Sequence, residues 1–138
     1  MTRVYTSMII RNPEGKILIL QRAVTATFAP NQWEFVNGTM DPHETAEETA
    51  VRETFEETGL TIRLDDLRPG AVHELTDDDG RWIVIPFWAN TDTSNITLSN
   101  EHQAYRWVSE TELKNIPYVG EDYRVLLSAQ TKEKKIES

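Results

Sequence analysis

The chain has no cysteine, which excludes disulfides and thiolate metal sites and makes a cytoplasmic setting the expectation. It also lacks an apolar run long enough to span a bilayer. The longest, near Lys16 to Leu20 and Trp82 to Trp88, stop within a few residues. Met1-Thr2-Arg3 leads into a strand-like segment rather than a secretory leader. Positive charge is scarce, with 14 Lys and Arg against 23 Asp and Glu, for a formal charge of −9. A general nucleic-acid-binding surface needs clustered cations, so neither nucleic acid nor a membrane is an expected partner. There is no internal repeat and no low-complexity tract. What is present, 138 residues with 38% hydrophobic and 27% charged, suits one globular domain over 1–138, with 131–138 as a frayed tail.

Val4 to Arg11 and Lys16 to Arg22 read as strands joined by a turn at Asn12-Pro13-Glu14-Gly15. Ala23 to Gln32 reads as a loop, and Trp33 to Val36 as a short strand entering an Asn37-Gly38 turn. Thr45 to Thr58 is the clearest helix: Thr45 and Glu48 form a capping box, and Gly59 stands where a helix ends left-handed. Further strands are expected at Leu60 to Leu64, Ala71 to Leu75, Trp82 to Trp88 and Tyr105 to Val108. The second and third of these would be linked through the Asp-rich tip Thr76 to Arg81. Ser109 with Glu112 caps a short helix that Pro117 closes, and Glu121 to Gln130 suits a terminal helix. Alternating strands and helices with antiparallel hairpins imply an α/β fold, a mixed sheet between helices.

On a helix, Glu53, Glu56 and Glu57 fall within an arc of roughly 100°. Ala50, Val51, Thr54, Phe55 and Thr58 occupy the other arc and are expected to face the core. Ala46 and Thr49 leave space on the carboxylate side, and Arg52 is spaced to brace Glu48, Glu56 or both. Crowded carboxylates repel by about 1 kcal/mol per pair at 4 Å in water, and by roughly 4 near a protein surface. They also stand in the C-terminal half of the helix, where the macrodipole favours cations. A hard divalent ion reverses the sign of both effects, and oxygen-only ligands suit Mg²⁺, Mn²⁺ or Ca²⁺. An acidic protein acting on a phosphate polyanion needs such an ion, and Mg²⁺ is the natural choice.

Gly38, Glu44, Arg52-Glu53, Glu56-Glu57 and Gly59-Leu60 together resemble the Nudix box. Eight of its nine constrained positions match, and Thr54 replaces the usual aliphatic residue. Gly15 to Arg22 resembles the family's second strand, and Gln32-Trp33-Glu34-Phe35 is similar to its MutT-type branch. Glu101-His102 with Tyr105-Arg106-Trp107-Val108 resembles a late strand that often contributes another acid, so the likeness runs from residue 4 to about 130. It implies a loop–helix–loop catalytic motif on a Nudix-type αβα sandwich, with Glu53, Glu56 and Glu57 binding Mg²⁺, or Mn²⁺ in its place. Arg52 would orient a ligating Glu, Gly38 would present backbone to metal or phosphate, and Glu44 would be structural, an outer-sphere ligand or part of the substrate site. The metal would polarise a diphosphate and activate water for in-line attack, with Glu57 or Glu56 taking the proton and Glu101 as an outside candidate.

The implied substrate is a nucleotide-type diphosphate, first of all a nucleoside triphosphate cut to monophosphate and pyrophosphate. ADP-ribose, nucleotide sugars and dinucleoside polyphosphates are alternatives, and a non-catalytic nucleotide sensor is the rival from another class. Such sensors commonly lose box carboxylates, whereas Glu53, Glu56 and Glu57 are all present. Two departures stand out. Val36-Asn37 replaces the usual Pro-Gly, and the stretch after Pro117 lacks the Asn that reads an oxidised guanine in the MutT branch. Family members often dimerise, so a homodimer is an expectation.

Among other constellations, Asp77-Asp78-Asp79-Gly80 fails calcium-loop spacing and reads as a solvated hairpin tip. Trp33, Trp82, Trp88 and Trp107 mostly suit a core, with Trp33 and Phe35 best placed against a base. Arg22 suits a phosphate contact or a surface ion pair. His43, His73 and His102 lack zinc-ligand spacing, and only His102, beside Glu101, invites a test.

Overall fold

A computed structural model describes residues 2–116. The expected helix at Glu121 to Gln130, its Pro117 boundary and the 131–138 tail lie outside that range. Among the described residues eight strands form one mixed sheet: β1 Thr2–Arg11, β2 Ile17–Arg22, β3 Trp33–Glu34, β4 Val36–Thr39, β5 Arg68–Pro69, β6 His73–Asp77, β7 Gly80–Asn90 and β8 His102–Val108. β1 and β7 run parallel along their full lengths, from Thr2 opposite Arg81 to Arg11 opposite Asn90. The other edge of β1 is shared: β4 pairs with its middle, Tyr5 to Met8, whereas β2 meets it only at Arg11 opposite Ile17. β2 instead pairs with β8 and β3. The chain therefore crosses between two diverging parts of the sheet at Glu34-Phe35-Val36, and a cleft opens there.

The alternation of β1 decides which face holds which core. Met8 and Ile10 point to one side with Leu18, Leu20, Val36 and Phe87, covered by helix α1 (Ala46–Thr58) through Ala50. Ile9 points to the other side with Ile17, Ile19, Phe35, Trp88 and Val108, where helix α2 (Glu110–Leu113) seats Leu113. Helices α1 and α2 begin with the expected capping boxes, and Gly59 ends α1 at φ 75°. The fold is the expected α/β architecture. Among the described residues no helix is long and apolar enough to cross a membrane.

Three local expectations are corrected. Asn37-Gly38 is no turn: β4 runs through it, because β1 offers that segment a free ladder edge. Leu60 to Leu64 is no strand, although Leu60 and Ile62 are buried alternately as in one. The nearby edge of β7 is taken by β5, and the segment ends in a 3-10 turn at Leu64–Asp66. On α1, Phe55 is not in the core but 58% exposed, while Glu57 is buried with Thr49, Ala50, Thr54 and Thr58. The helix lies close to the sheet on small side chains, and a phenylalanine has no room there.

Candidate active site

The N-terminal cap fixes the start of α1 and hence the direction of its acids. Thr45 Oγ1 accepts from the Glu48 amide at 3.1 Å, and Glu48 accepts from the Thr45 amide at 2.9 Å. Glu48 is thereby engaged in the cap and not by Arg52. Arg52 instead donates to both oxygens of Glu44, at 3.1 and 2.9 Å through Nε, and through Nη1 to Glu53 and Glu56 at 3.1 Å each. Thr49 adds a donor to Glu44 at 3.0 Å. The Arg52 hydrogen bonds hold the Glu44 carboxyl below its ordinary range, and Glu44 raises the Arg52 guanidinium in return. One planar cation thus sets three carboxylates, which a point-charge ammonium could not do.

Glu53 lies against Gly38 of β4. A Cβ at Gly38 would stand 2.7 Å from Glu53 Cδ, so only glycine lets helix and strand approach this closely. Burial raises the Glu53 carboxyl, against the lowering pull of Arg52. One turn on, Glu57 is 3% exposed, and its Oε2 has no hydrogen-bond partner. Burial above all, then the charges of Glu53, Glu34 and Glu101, pushes its carboxyl up to about 10. A buried carboxylate with an unspent oxygen beside a second carboxylate is costly without a cation and suits a divalent ion.

The cleft between the two parts of the sheet is a cavity of about 720 Å³, with Glu57, Gly38, Glu34 and Glu101 at its acidic end. Trp33, Phe28, Tyr5 and Trp82 supply aromatic walls, and Arg22 supplies a cation. Arg22 Nη1 reaches both oxygens of Glu34, at 3.4 and 3.3 Å, and its Nε donates to the Phe28 carbonyl at 2.8 Å. Arg106 stacks over Trp33 at 5.7 Å.

Of the residues expected to act here, Glu57, Glu101, Gly38, Arg22 and Trp33 line the cavity, and Glu53 lies directly behind Gly38. Glu56 is exposed and turned to Arg52. Glu44 does not line the cavity, since its carboxylate is taken by Arg52 and Thr49. Phe35 is fully buried in the second core cluster and does not line the cavity either. Trp88 belongs to that core, and Trp107 donates to the Ser94 carbonyl at 3.0 Å. Asp77 accepts from the Asp79 amide in a hairpin tip, as expected. Two residues gain a place the sequence did not give them. Glu34 and His102 meet across 68 residues of chain, with His102 Nε2 2.8 Å from Glu34 Oε2. The only local signals were the Trp33-Glu34-Phe35 run and the Glu101-His102 pair.

A family model for the NUDIX domain matches residues 1–129. The chain belongs to the Nudix family. Among curated relatives, the CTP pyrophosphohydrolase of Escherichia coli is 31% identical over 113 residues, covering 82% of this chain and 81% of that protein. The 8-oxo-dGTP diphosphatase of Escherichia coli is 35% identical over 101 residues, covering 73% and 75%. Two Mycobacterium tuberculosis relatives are longer, and the match covers 50% of each. The crystal structure of a MutT protein from Methanosarcina mazei superposes with a TM-score of 0.75 at 24% identity, covering 99% of this chain and 96% of that one. The family assigns the chain to metal-dependent hydrolases, and the acidic face of this Nudix enzyme is the part of the structure that fits a divalent ion.

Proposed function

We propose that this Nudix hydrolase is a Mg²⁺-dependent pyrophosphohydrolase that cuts a nucleoside triphosphate into monophosphate and pyrophosphate. The observation that carries the reading is the buried carboxyl of Glu57, whose Oε2 has no hydrogen-bond partner, beside Glu53 at the acidic end of an aromatic-walled cavity. Relatives named for CTP, for 8-oxo-dGTP and, in NudI of Klebsiella pneumoniae, for nucleoside triphosphates support the substrate class. Glu53 and Glu57 would hold the ion, with Glu56 at the rim and Gly38 leaving the main chain of β4 open to ion or phosphate. Mn²⁺ is the expected substitute. When bound, the ion neutralises diphosphate charge and makes a water more acidic.

The remaining steps belong to side chains. Arg52 holds Glu53 and Glu56 in place through its anchor on Glu44, so Glu44 acts at a distance rather than on substrate. Trp33 and Trp82 offer flat faces to a base, and Arg22 offers positive charge to the phosphates. Of the three candidates for proton acceptor, Glu56 is outside the cavity and Glu57 is committed to the ion. That leaves Glu101, exposed and on the cavity wall, as the group that takes the proton from water.

The test is pyrophosphate and phosphate release from common and oxidised nucleoside triphosphates, ADP-ribose, nucleotide sugars and dinucleoside polyphosphates, with Mg²⁺ and with chelator. Metal-dependent pyrophosphate release from triphosphates, lost in Glu57→Gln, is the expected outcome. Turnover confined to another class replaces the substrate reading, and absence of Mg²⁺ binding sinks the site.

A further inference from the structure

The imidazole of His102 stands between two carboxylates that the reading above uses unequally. Its side chain is 2% exposed, and its Nε2 is 2.8 Å from Glu34 Oε2. Glu34 also accepts from Arg22, so its oxygens serve as acceptors here, and the tautomer that suits this contact carries its hydrogen on Nε2. In the neutral ring the other nitrogen then presents a lone pair. That atom, Nδ1, is buried, has no hydrogen-bond partner and lies 3.7 Å from Glu57 Oε1. The other Glu57 oxygen, Oε2, is buried and has no hydrogen-bond partner. Nδ1 and Glu57 Oε1 thus face each other, buried, at a distance too long for a hydrogen bond, and a cation between them would give Nδ1 the partner it lacks.

We propose that His102 is a nitrogen ligand of the metal-binding face, with Glu57 as the oxygen ligand opposite and Glu34 as the carboxylate that fixes the imidazole. The inference rests on the assignment of Glu57 to the metal-binding face. Two donors bound to one ion at about 2.1 Å each stand at most about 4.2 Å apart, and the observed 3.7 Å fits. Donor atoms of Glu34, Glu57 and His102 all lie within 4.8 Å of one another. Glu34 is better placed as the orienting partner than as a ligand, because its oxygens are already engaged by Arg22 and Nε2. A carboxylate hydrogen-bonded to the far nitrogen of a ligating histidine is the usual means of fixing its tautomer and raising its basicity. A mixed nitrogen and oxygen donor set favours a first-row transition ion over Mg²⁺ or Ca²⁺.

The probe is Mn²⁺ alone, bound to the untagged chain and followed by pulsed electron paramagnetic resonance. A directly coordinated imidazole gives a ¹⁴N coupling that an all-oxygen site lacks. His102→Gln is the decisive variant, since its amide N–H reproduces the donor to Glu34 and leaves nothing at Nδ1. The expected result is a ¹⁴N coupling in the wild type, lost in His102→Gln, with the preference for Mn²⁺ over Mg²⁺ falling roughly tenfold. If His102→Gln does not fold, persistence of the signal in His43→Gln and His73→Gln assigns it by elimination. Tight Mn²⁺ binding without nitrogen coupling overturns the proposal and leaves the carboxylate site standing. Failure to bind Mn²⁺ or Mg²⁺ at all overturns both.

Discussion

Gly38 and Glu53 are in contact in a way no other residue pair could reproduce: a side chain at position 38 would occupy the space of the Glu53 carboxylate stem. Strand and acidic helix touch through that contact, so it sets the depth of Glu53 behind the cavity. Gly38→Ala is expected to push Glu53 aside, lower stability by about 1–3 kcal/mol as an overpacked site does, and weaken Mg²⁺ binding at least tenfold. Chemical denaturation and Mg²⁺ titration check the two effects. An alanine variant with unchanged metal affinity would mean that Glu53 has no part in the site.

Glu57 makes the metal-free protein pH-sensitive. A carboxyl raised from 4.5 to about 10 by burial and by its acidic neighbours holds its proton in the folded state where the unfolded chain has lost it. Folding therefore takes up a proton between those values, and stability falls as pH rises through the window. In chelator, the melting temperature should decline from pH 5.5 to 8.5, and the decline should be shallower in Glu57→Gln, which should also be the more stable protein at pH 8. Glu56→Gln, at the surface beside Arg52, should change stability by no more than about 0.5 kcal/mol. Parallel pH curves for wild type and Glu57→Gln would refute the buried-carboxyl account.

The same proton should leave when a divalent ion enters. Below pH 10 the Glu57 carboxyl is largely protonated without metal, and a ligating carboxylate must be ionised. Calorimetric titration with Mg²⁺ in buffers of different ionisation enthalpy should report close to one proton released near pH 7. Affinity should increase with pH. Binding without proton release would place the ion on Glu53 and Glu56 instead.

The parts legible in the sequence were those that short-range chemistry decides. The cap of Thr45 on Glu48 and the left-handed Gly59 involve neighbours within four residues, and α1 runs between them as expected. β4 escaped notice because Asn37-Gly38 is a good turn dipeptide, and only the free edge of β1 makes it a strand. Periodicity sent Phe55 inward and Glu57 outward, the reverse of what is found, because it ranks residues by ordinary hydrophobic preference. A site that buries an acid must break that preference. Nothing local could join Glu34 to His102, since the pairing of β3 and β8 with β2 brings them together.

Thr54 is the one box position that departs from the family pattern, and the structure shows how the departure is accommodated. Its side chain is fully buried, and the hydroxyl donates to the Ala50 carbonyl at 2.7 Å, a bond back along the helix. That carbonyl is an acceptor within the helix without the hydroxyl's help. Thr54→Val keeps the shape, removes a buried polar group and leaves the Ala50 carbonyl its helical bond. It should be neutral or stabilising by up to about 1 kcal/mol, with turnover unchanged. A loss above about 1.5 kcal/mol would show that the hydroxyl is an essential part of the α1 contact.

Arg52 is expected to be irreplaceable by lysine. Its guanidinium reaches Glu44 through Nε and Nη2 and still has Nη1 for Glu53 and Glu56, a planar division of labour. A lysine ammonium would find Glu44 or Glu53, not both at once, and would leave one carboxylate free to rotate away from the ion. Arg52→Lys should therefore keep the net charge and most of the stability, yet lose roughly 10–100-fold in kcat at saturating Mg²⁺ with little change in KM. Steady-state kinetics at several Mg²⁺ concentrations separates this from a simple charge effect. Were excess Mg²⁺ to restore full activity, Arg52 would contribute charge alone, and the geometry described here would not be what Glu53 depends on.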